Sequence, residues 1–318
     1  MRLSILIPTH NDDCTALVKA LAEQCRHAVG LEDYEIVISD DASSAPFFSA
    51  LQMRLHSCAA TIVAPASPDA SSRLHIIHHV RPVGPSLNRR LAIPILRYDY
   101  VLTIDGDARI TSPHFIDQYI LHRDDAPVVY GGLTTSPQDL RPNNHLRYAY
   151  ERATSRYQSL SYRQAHPYDH FTAFNTLFHK SLFNQVNFTD QLTQYGFEDT
   201  LMGDQLRRRG IAIRHIDNPL QHTGINNNAT FVANTELALQ NLTCLPRSFQ
   251  QRVRISHLAL RLQRLHLLSP VRLLYRLSGP ALRRQLLSPR PSLLVFKVYK
   301  LTYLAHLLHC HHADRQTL

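Results

Sequence analysis

Tryptophan is absent from the 318 residues, and that absence excludes nothing. Other shortages do exclude something. The five cysteines, at 14, 25, 58, 244 and 310, are odd in number and scattered. They form no Cys-x-x-Cys pair and no zinc spacing, so free thiols in a reducing cytoplasm are expected. No uncharged apolar run reaches 18 residues, which excludes a spanning helix of ordinary length. The opening Met-Arg-Leu-Ser-Ile-Leu-Ile-Pro turns polar too soon for a signal peptide and reads as a first strand. Acids are nearly missing from the end of the chain. From Gln250 onward there are 12 Lys/Arg and a single acid, Asp314. The net charge of +9 therefore splits into +11 for this tail and −2 for everything upstream. A nearly neutral body argues against a nucleic-acid-binding body.

The most informative stretch is Tyr98 to Asp107, Tyr-Asp-Tyr-Val-Leu-Thr-Ile-Asp-Gly-Asp. Residues 100–104 predict a buried strand that ends in two carboxylates, Asp105 and Asp107, around Gly106. In open α/β sheets, ligands bind beyond the carboxyl ends of the strands. Two hard oxygen ligands there suit a divalent cation shared with substrate phosphates, and Gly106 permits a tight turn and a close approach. Taken alone, Asp-Gly is a turn dipeptide; its company decides.

Residues 3–7 are apolar except Ser4, as in a strand buried on both faces. Pro8-Thr9-His10-Asn11-Asp12 breaks the run, and Asp12, Asp13 or Thr15 can cap a helix bearing Ala16, Leu17, Ala20 and Leu21. Residues 34–39 form a second strand, ending at Asp40-Asp41. A loop is expected over 60–72, a third strand over 74–80, and a helix after Gly84-Pro85 that carries Arg89 and Arg90. Arginines at such an edge can reach phosphate, although one arginine alone fits a solvated helix face. A helix is expected within 108–126 and a short strand over 127–132. Residues 137–170, rich in Arg, Tyr, His and Asn, predict a functional loop or a helix over the site. The strand at 171–178 holds Asn175, either a satisfied structural amide or a sugar contact. Glu198 and Asp199 open a helix, where acids complement the macrodipole, and Gly210 stops it. A strand over 211–216, a loop holding His222, and a helix over 228–245 follow.

The ordered series Pro8-Thr9-His10, Asp40-Asp41, Gly84…Arg89-Arg90, Asp105-Gly106-Asp107, Glu198-Asp199 and His222 resembles the family-2 glycosyltransferases, over about residues 1–245. The resemblance implies a GT-A fold: an α/β, Rossmann-like, mainly parallel sheet flanked by helices. It also implies an inverting enzyme that uses a nucleotide-sugar donor, usually a UDP-sugar, with Mn²⁺ or Mg²⁺. Pro8, Thr9 and His10 would approach the nucleotide, with His10 where the family usually has Tyr. Asp41 would hold the base. Arg89 would face the nucleotide, while Arg90 replaces the family's asparagine. Asp105 would lie near the ribose, and Asp107 would bind the metal together with His222. Asp199 would be the catalytic base, with Glu198, and Asn175 if it is a sugar contact, toward the acceptor. The acceptor implied is a glycan or lipid-linked glycan, in surface polysaccharide or lipopolysaccharide synthesis.

Two other readings remain at this level. A sugar-nucleotide pyrophosphorylase uses a similar fold, but residues 7–13 contain no glycine for its phosphate loop. A catalytically inactive, membrane-bound scaffold would not need Asp107, Asp199 and His222 intact. The tail, taken as a second domain over 246–318, is a basic, helical, Leu/Arg-rich extension. Leu258, Leu262, Leu265 and Leu273 recur at helical spacing with Arg261, Arg264 and Arg272 between them, and residues 293–308 add Phe296, Tyr299 and Tyr303. This pattern fits either an anionic membrane surface on the cytoplasmic side or a helical subdomain with a solvated basic face.

Overall fold

The computed structural model describes residues 1–62, 73–189, 192 and 195–316, so the loop expected over 60–72 lies mostly outside the described residues. The elements run β1 (Arg2–Thr9), α1 (Thr15–His27), β2 (Asp33–Asp40), α2 (Ala45–Ile62), β3 (Leu74–His78), α3 (Pro85–Ala92), β4 (Tyr100–Ile104), β5 (Ala108–Arg109) and α4 (Phe115–His122). They continue β6 (Val128–Tyr130), β7 (Leu133–Thr134), α5 (His145–Thr154), α6 (Leu160–Ala165), β8 (Asn175–His179), α7 (Glu198–Arg208), β9 (Ile213–His215) and β10 (Leu220–His222). The last are α8 (Asn228–Cys244), α9 (Arg247–Gln250), α10 (Arg254–Arg264), α11 (Leu268–Leu286) and α12 (Leu293–Gln316).

The chain forms two compact units. The first comprises Met1–Ser136, Thr154–Thr193 and Glu198–Gly224; the second comprises Pro137–Ala153, Gln194–Phe197 and Ile225–Leu318. The border is therefore crossed several times rather than once at 245.

The first unit is built on a seven-stranded sheet of order β3-β2-β1-β4-β8-β6-β9. Strands β3, β2, β1 and β4 are mutually parallel, and β8 is antiparallel to both β4 and β6. Both faces of the central strands are covered, which explains their nearly unbroken apolar sequence. Leu3, Ile5 and Ile7 join Ile36, Ile38, Leu102 and Ile104 on one face, with residues of α1 and α4. Leu6, Val37 and Val101 point to the other, with Ala92 of α3 and Met202 and Leu206 of α7. Burial of each such side chain contributes about 1.5–3 kcal/mol. The parallel register places Thr9 beside Asp40 and Leu6 beside Thr103, so the ends of β1, β2 and β4 share one edge.

Residues 171–174, expected as strand, precede β8, and the pairing starts at Asn175 opposite Ile104. Residues 219–224, expected as loop, contain β10. This strand pairs antiparallel with β5, His222 opposite Ala108, in a three-stranded sheet of order β5-β10-β7. Residues 137–170 hold α5 and α6 rather than a long irregular loop.

In the second unit α8 packs with the tail helices. Phe231 and Val232 of α8, Leu146 of α5, Leu286 of α11, and Phe296 and Tyr299 of α12 form its core. Glu236 accepts from Tyr299 Oη at 2.5 Å and from Arg283 Nε at 3.0 Å. The aromatics of 293–308 are thus interior groups: Phe296, Tyr299 and Tyr303 are all buried, and none of them is available to a membrane. Among the described residues, no helix is long and apolar enough to cross one.

Candidate active site

The carboxylates at the strand-end edge of the first unit include Asp105, Asp107, Asp12 and, from α7, Asp199. Asp105 and Asp107 follow β4 directly. Gly106 turns between them so tightly that a Cβ would stand 3.0 Å from Thr9 Oγ1, and its N–H donates to the Pro8 carbonyl at 3.1 Å. What needs the glycine here is the neighbouring β1 end. Asp107 is clamped by its own backbone: its carbonyl accepts from Thr223 N at 3.0 Å and Thr223 Oγ1 at 2.6 Å. The β5–β10 pairing then brings His222 Nε2 to 3.1 Å from Asp107 Oδ2. Gly224 lies so close to Asp107 that any Cβ there would collide with the carboxylate.

The third carboxylate, Asp12, has no side-chain role in capping the helix. The α1 cap position falls on Cys14, and it is Asp13 Oδ1 that accepts from Thr15 N at 3.1 Å. Burial, then the nearby charge of Asp107 and, more weakly, Asp105, push the Asp12 carboxyl up to about 6. The sequence signal was available, since Asp12 stands just beyond the end of β1, the same position that marks Asp105 and Asp107 on β4.

Asp199, the fourth, lies in the first turn of α7. Thr172 Oγ1 donates to its Oδ2 at 2.6 Å and Ala173 N to its Oδ1 at 3.2 Å. An ionised carboxylate accepts at about four positions, so each oxygen keeps capacity for a further proton donor. Glu198 adjoins it, half-buried.

Arg89 is paired with one of these carboxylates. It is 3% exposed, its Nη2 pairs with Asp105 Oδ1, and its Nη1 donates to the Pro85 carbonyl at 3.1 Å. Asp105, Asp199 and Glu198 together hold its charged form, and its Nε has no hydrogen-bond partner in the structure. Burial raises Asp105 in spite of Arg89, and Asp107 and Asp199 add to the rise. Its guanidinium is turned inward onto Asp105, and the nucleotide contact assigned to Arg89 rests on the family resemblance alone.

Two more of these side chains, Asn175 and Asp41, are held by the protein itself. Asn175 has no exposed surface. Its amide donates to the carbonyls of Gly132 and Asn218, each at 2.8 Å, and its oxygen accepts from Tyr119 Oη at 2.6 Å. These bonds tie the strands together, as a satisfied structural amide does, and the acceptor contact assigned to Asn175 rests on the family resemblance alone. Asp41 is buried and clamps a loop, its oxygens accepting from Val83 N at 2.6 Å and Gly84 N at 2.9 Å. The contact with a nucleotide base assigned to it rests on the family resemblance alone. The exposed ring of His10 is set by Nδ1 donating to the Asp41 carbonyl at 2.7 Å. Thr9 Oγ1 donates to the Asp12 carbonyl at 3.1 Å. Asn11 and Ala42, just past the ends of β1 and β2, both hold φ of 55°. Such left-handed residues are costly unless their surroundings enforce them, and they concentrate at functional edges.

The carboxylates of this edge are of a kind that suits a cation. Among the described residues, no three His, Cys, Asp or Glu side chains converge as a ready-made metal cage. Divalent cations that act on phosphates are usually held by one or two carboxylates plus the substrate, and the Asp107–His222 pair fits that pattern. The mutually repelling Asp12, Asp105 and Asp107 favour a positive ion beside them.

A mainly parallel sheet flanked by helices, with an antiparallel β8, is the arrangement of the GT-A fold. Residues 4–186 match the model of glycosyl transferase family 2, and the chain belongs to that family. Among solved structures, a mannosyltransferase from Pyrobaculum calidifontis, in complex with GDP-Man and Mn²⁺, is similar at 13% identity. The match covers 99% of this chain and 88% of that one, with a TM-score of 0.54. TarS from S. aureus, residues 1–349, is similar at 15% identity over 100% of this chain and 92% of that one, with a TM-score of 0.50. No curated protein sequence matches the chain.

Proposed function

We propose that this glycosyltransferase is an inverting enzyme that moves a sugar from a nucleoside-diphosphate donor, a UDP-sugar, to a hydroxyl of a glycan or lipid-linked acceptor. The pathway that fits is synthesis of a surface polysaccharide or lipopolysaccharide. The observation that carries this reading is the pairing of Asp107 with His222 at 3.1 Å, on the strand-end edge where Asp105 also stands.

In this reading, Asp107 and His222 would hold a divalent cation, which would supply Lewis-acid chemistry when bound. Arg89 fixes Asp105 toward the ribose. Pro8, Thr9 and His10 shape the nucleotide side of the edge, and Asp41 there orders the 83–84 loop as well as any base. Asp199 takes the proton from the acceptor hydroxyl as its oxygen attacks the anomeric carbon. The bond from sugar to diphosphate breaks as the bond from sugar to acceptor forms, and the configuration inverts. Thr172 and the Ala173 N–H keep the Asp199 carboxylate in one orientation, the pre-organisation such a base needs. Glu198 lies toward the acceptor.

The test is calorimetric binding of UDP with and without Mn²⁺, on the wild type and on Asp107→Ala. Metal-dependent binding that is lost in the variant supports the donor site. Binding of GDP but not UDP keeps the reaction and changes the donor. No nucleotide binding at all would favour an inactive scaffold.

A further inference from the structure

The second unit turns leucines toward water. On α11, Leu277 is 77% exposed, Leu273 52% and Leu274 47%. At helical spacing these three share one stripe with Ala281, opposite the face where Gly279 and Leu286 are buried. Helix α11 is therefore apolar on two sides, and the unit's core accounts for only one of them. Helix α10 and the turn after it add Leu258, Leu265 and Leu267, each also more than 40% exposed. Single exposed leucines are ordinary, but six on two consecutive helices and the turn between them are not. Arginines stand among these leucines along the chain: Arg261, Arg264, Arg276 and Arg284 are all exposed. Residues 251–313 contain no Asp or Glu at all.

We infer that this leucine and arginine face is a docking surface for an anionic lipid bilayer. A bilayer supplies both missing counterparts, hydrocarbon for the leucines and anionic headgroups for the guanidiniums. A second copy of the same face would set arginines against arginines. A nucleic acid would answer the charge and leave the leucines in water. The aromatic residues of α12 take no part, since they form the core of the unit. The inference does not depend on the donor site, and its test does not read activity.

The absence of tryptophan makes the test direct. In the full chain, Leu277→Trp introduces a sole tryptophan on the exposed stripe. Its emission is expected to shift to the blue with vesicles of phosphatidylcholine and phosphatidylglycerol, and not with phosphatidylcholine alone. In co-sedimentation with the mixed vesicles, Leu273→Ser with Leu277→Ser is expected to weaken partitioning by about tenfold or more. Arg276→Gln with Arg284→Gln is expected to weaken it by about fivefold per arginine. Unchanged melting temperature and UDP binding would show that these variants are folded. Three outcomes would overturn the inference: no binding to either vesicle, vesicle binding indifferent to the leucine pair, or a dimer in ultracentrifugation that the leucine pair dissolves while vesicles are ignored.

Discussion

The strand edge of the first unit and the outer face of α11 in the second are both left incomplete, in opposite senses. At the edge, burial and the charge of Asp107 raise the proton affinity of Asp12 and Asp105, and one buried arginine is not enough to offset the rise at Asp105. On α11, arginines stand among exposed leucines in a segment without acids. Each surface carries a cost in isolation, which a cation would relieve in the first case and an anionic apolar surface in the second. Where a folded chain keeps unfavourable groups together, the missing partner can be read from their chemistry. The two surfaces differ in how they are held. The edge is locked by hydrogen bonds to backbone, whereas the α11 stripe is a set of side chains on a helix whose other face does the packing.

That contrast can be broken in order of effect. Asp199→Asn removes the proton acceptor and should lower transfer by about 10²–10⁴-fold, with UDP affinity unchanged. Loss of UDP affinity with near-normal turnover would remove Asp199 from the role of base. Arg163 is the counter-example to the exposed arginines, a buried guanidinium donating to the carbonyls of Gln158, Tyr130, Gly131 and Ile216 at 2.9–3.3 Å. Arg163→Met leaves those carbonyls unpaired and should cost about 3 kcal/mol of stability in denaturant melts.

Asp12→Asn should act in the other direction. The folded carboxyl lies near 6, above its ordinary 3.8, so the folded state binds the proton more tightly than the unfolded chain. Its stabilising contribution is full below about 4 and is lost as pH rises through about 6. The asparagine variant should therefore be more stable than wild type by about 1–2 kcal/mol near neutral pH, with the gain vanishing at low pH. Melts at the two pH values check the sign, and a gain that persists in acid would exclude the electrostatic cause. The smallest effect is expected for Leu277→Ser, within about 0.5 kcal/mol of wild type in stability. A larger loss would mean that this leucine is a packing residue and the stripe is not free.

Much of the architecture was legible in order and type. The strand over 100–104 matches β4, and the helix opened by Glu198 and Asp199 matches α7. Both rest on local patterns, an apolar run ending in Asp-Gly-Asp and acids at a helix start. The last helix, α12, was legible as a helix but not in its environment. Phe296, Tyr299 and Tyr303 recur on one face either way, and only the packing of α8 against them shows that this face is interior.

What the sequence alone determined is which chemistry gathers at the strand ends. A parallel sheet with both faces covered needs continuous apolar strands, and the polar residues that end them fall on one edge. Only the tertiary structure decided which of those polar groups remain available. Asp41 is engaged by backbone 42 and 43 positions away, Asn175 by a tyrosine 56 away, and Arg89 by a carboxylate 16 away. Asp107, by contrast, meets His222 across 115 positions. Hydrogen-bond partners at such separations are set by strand order and register, and these depend on how the whole core packs rather than on any local run of residues.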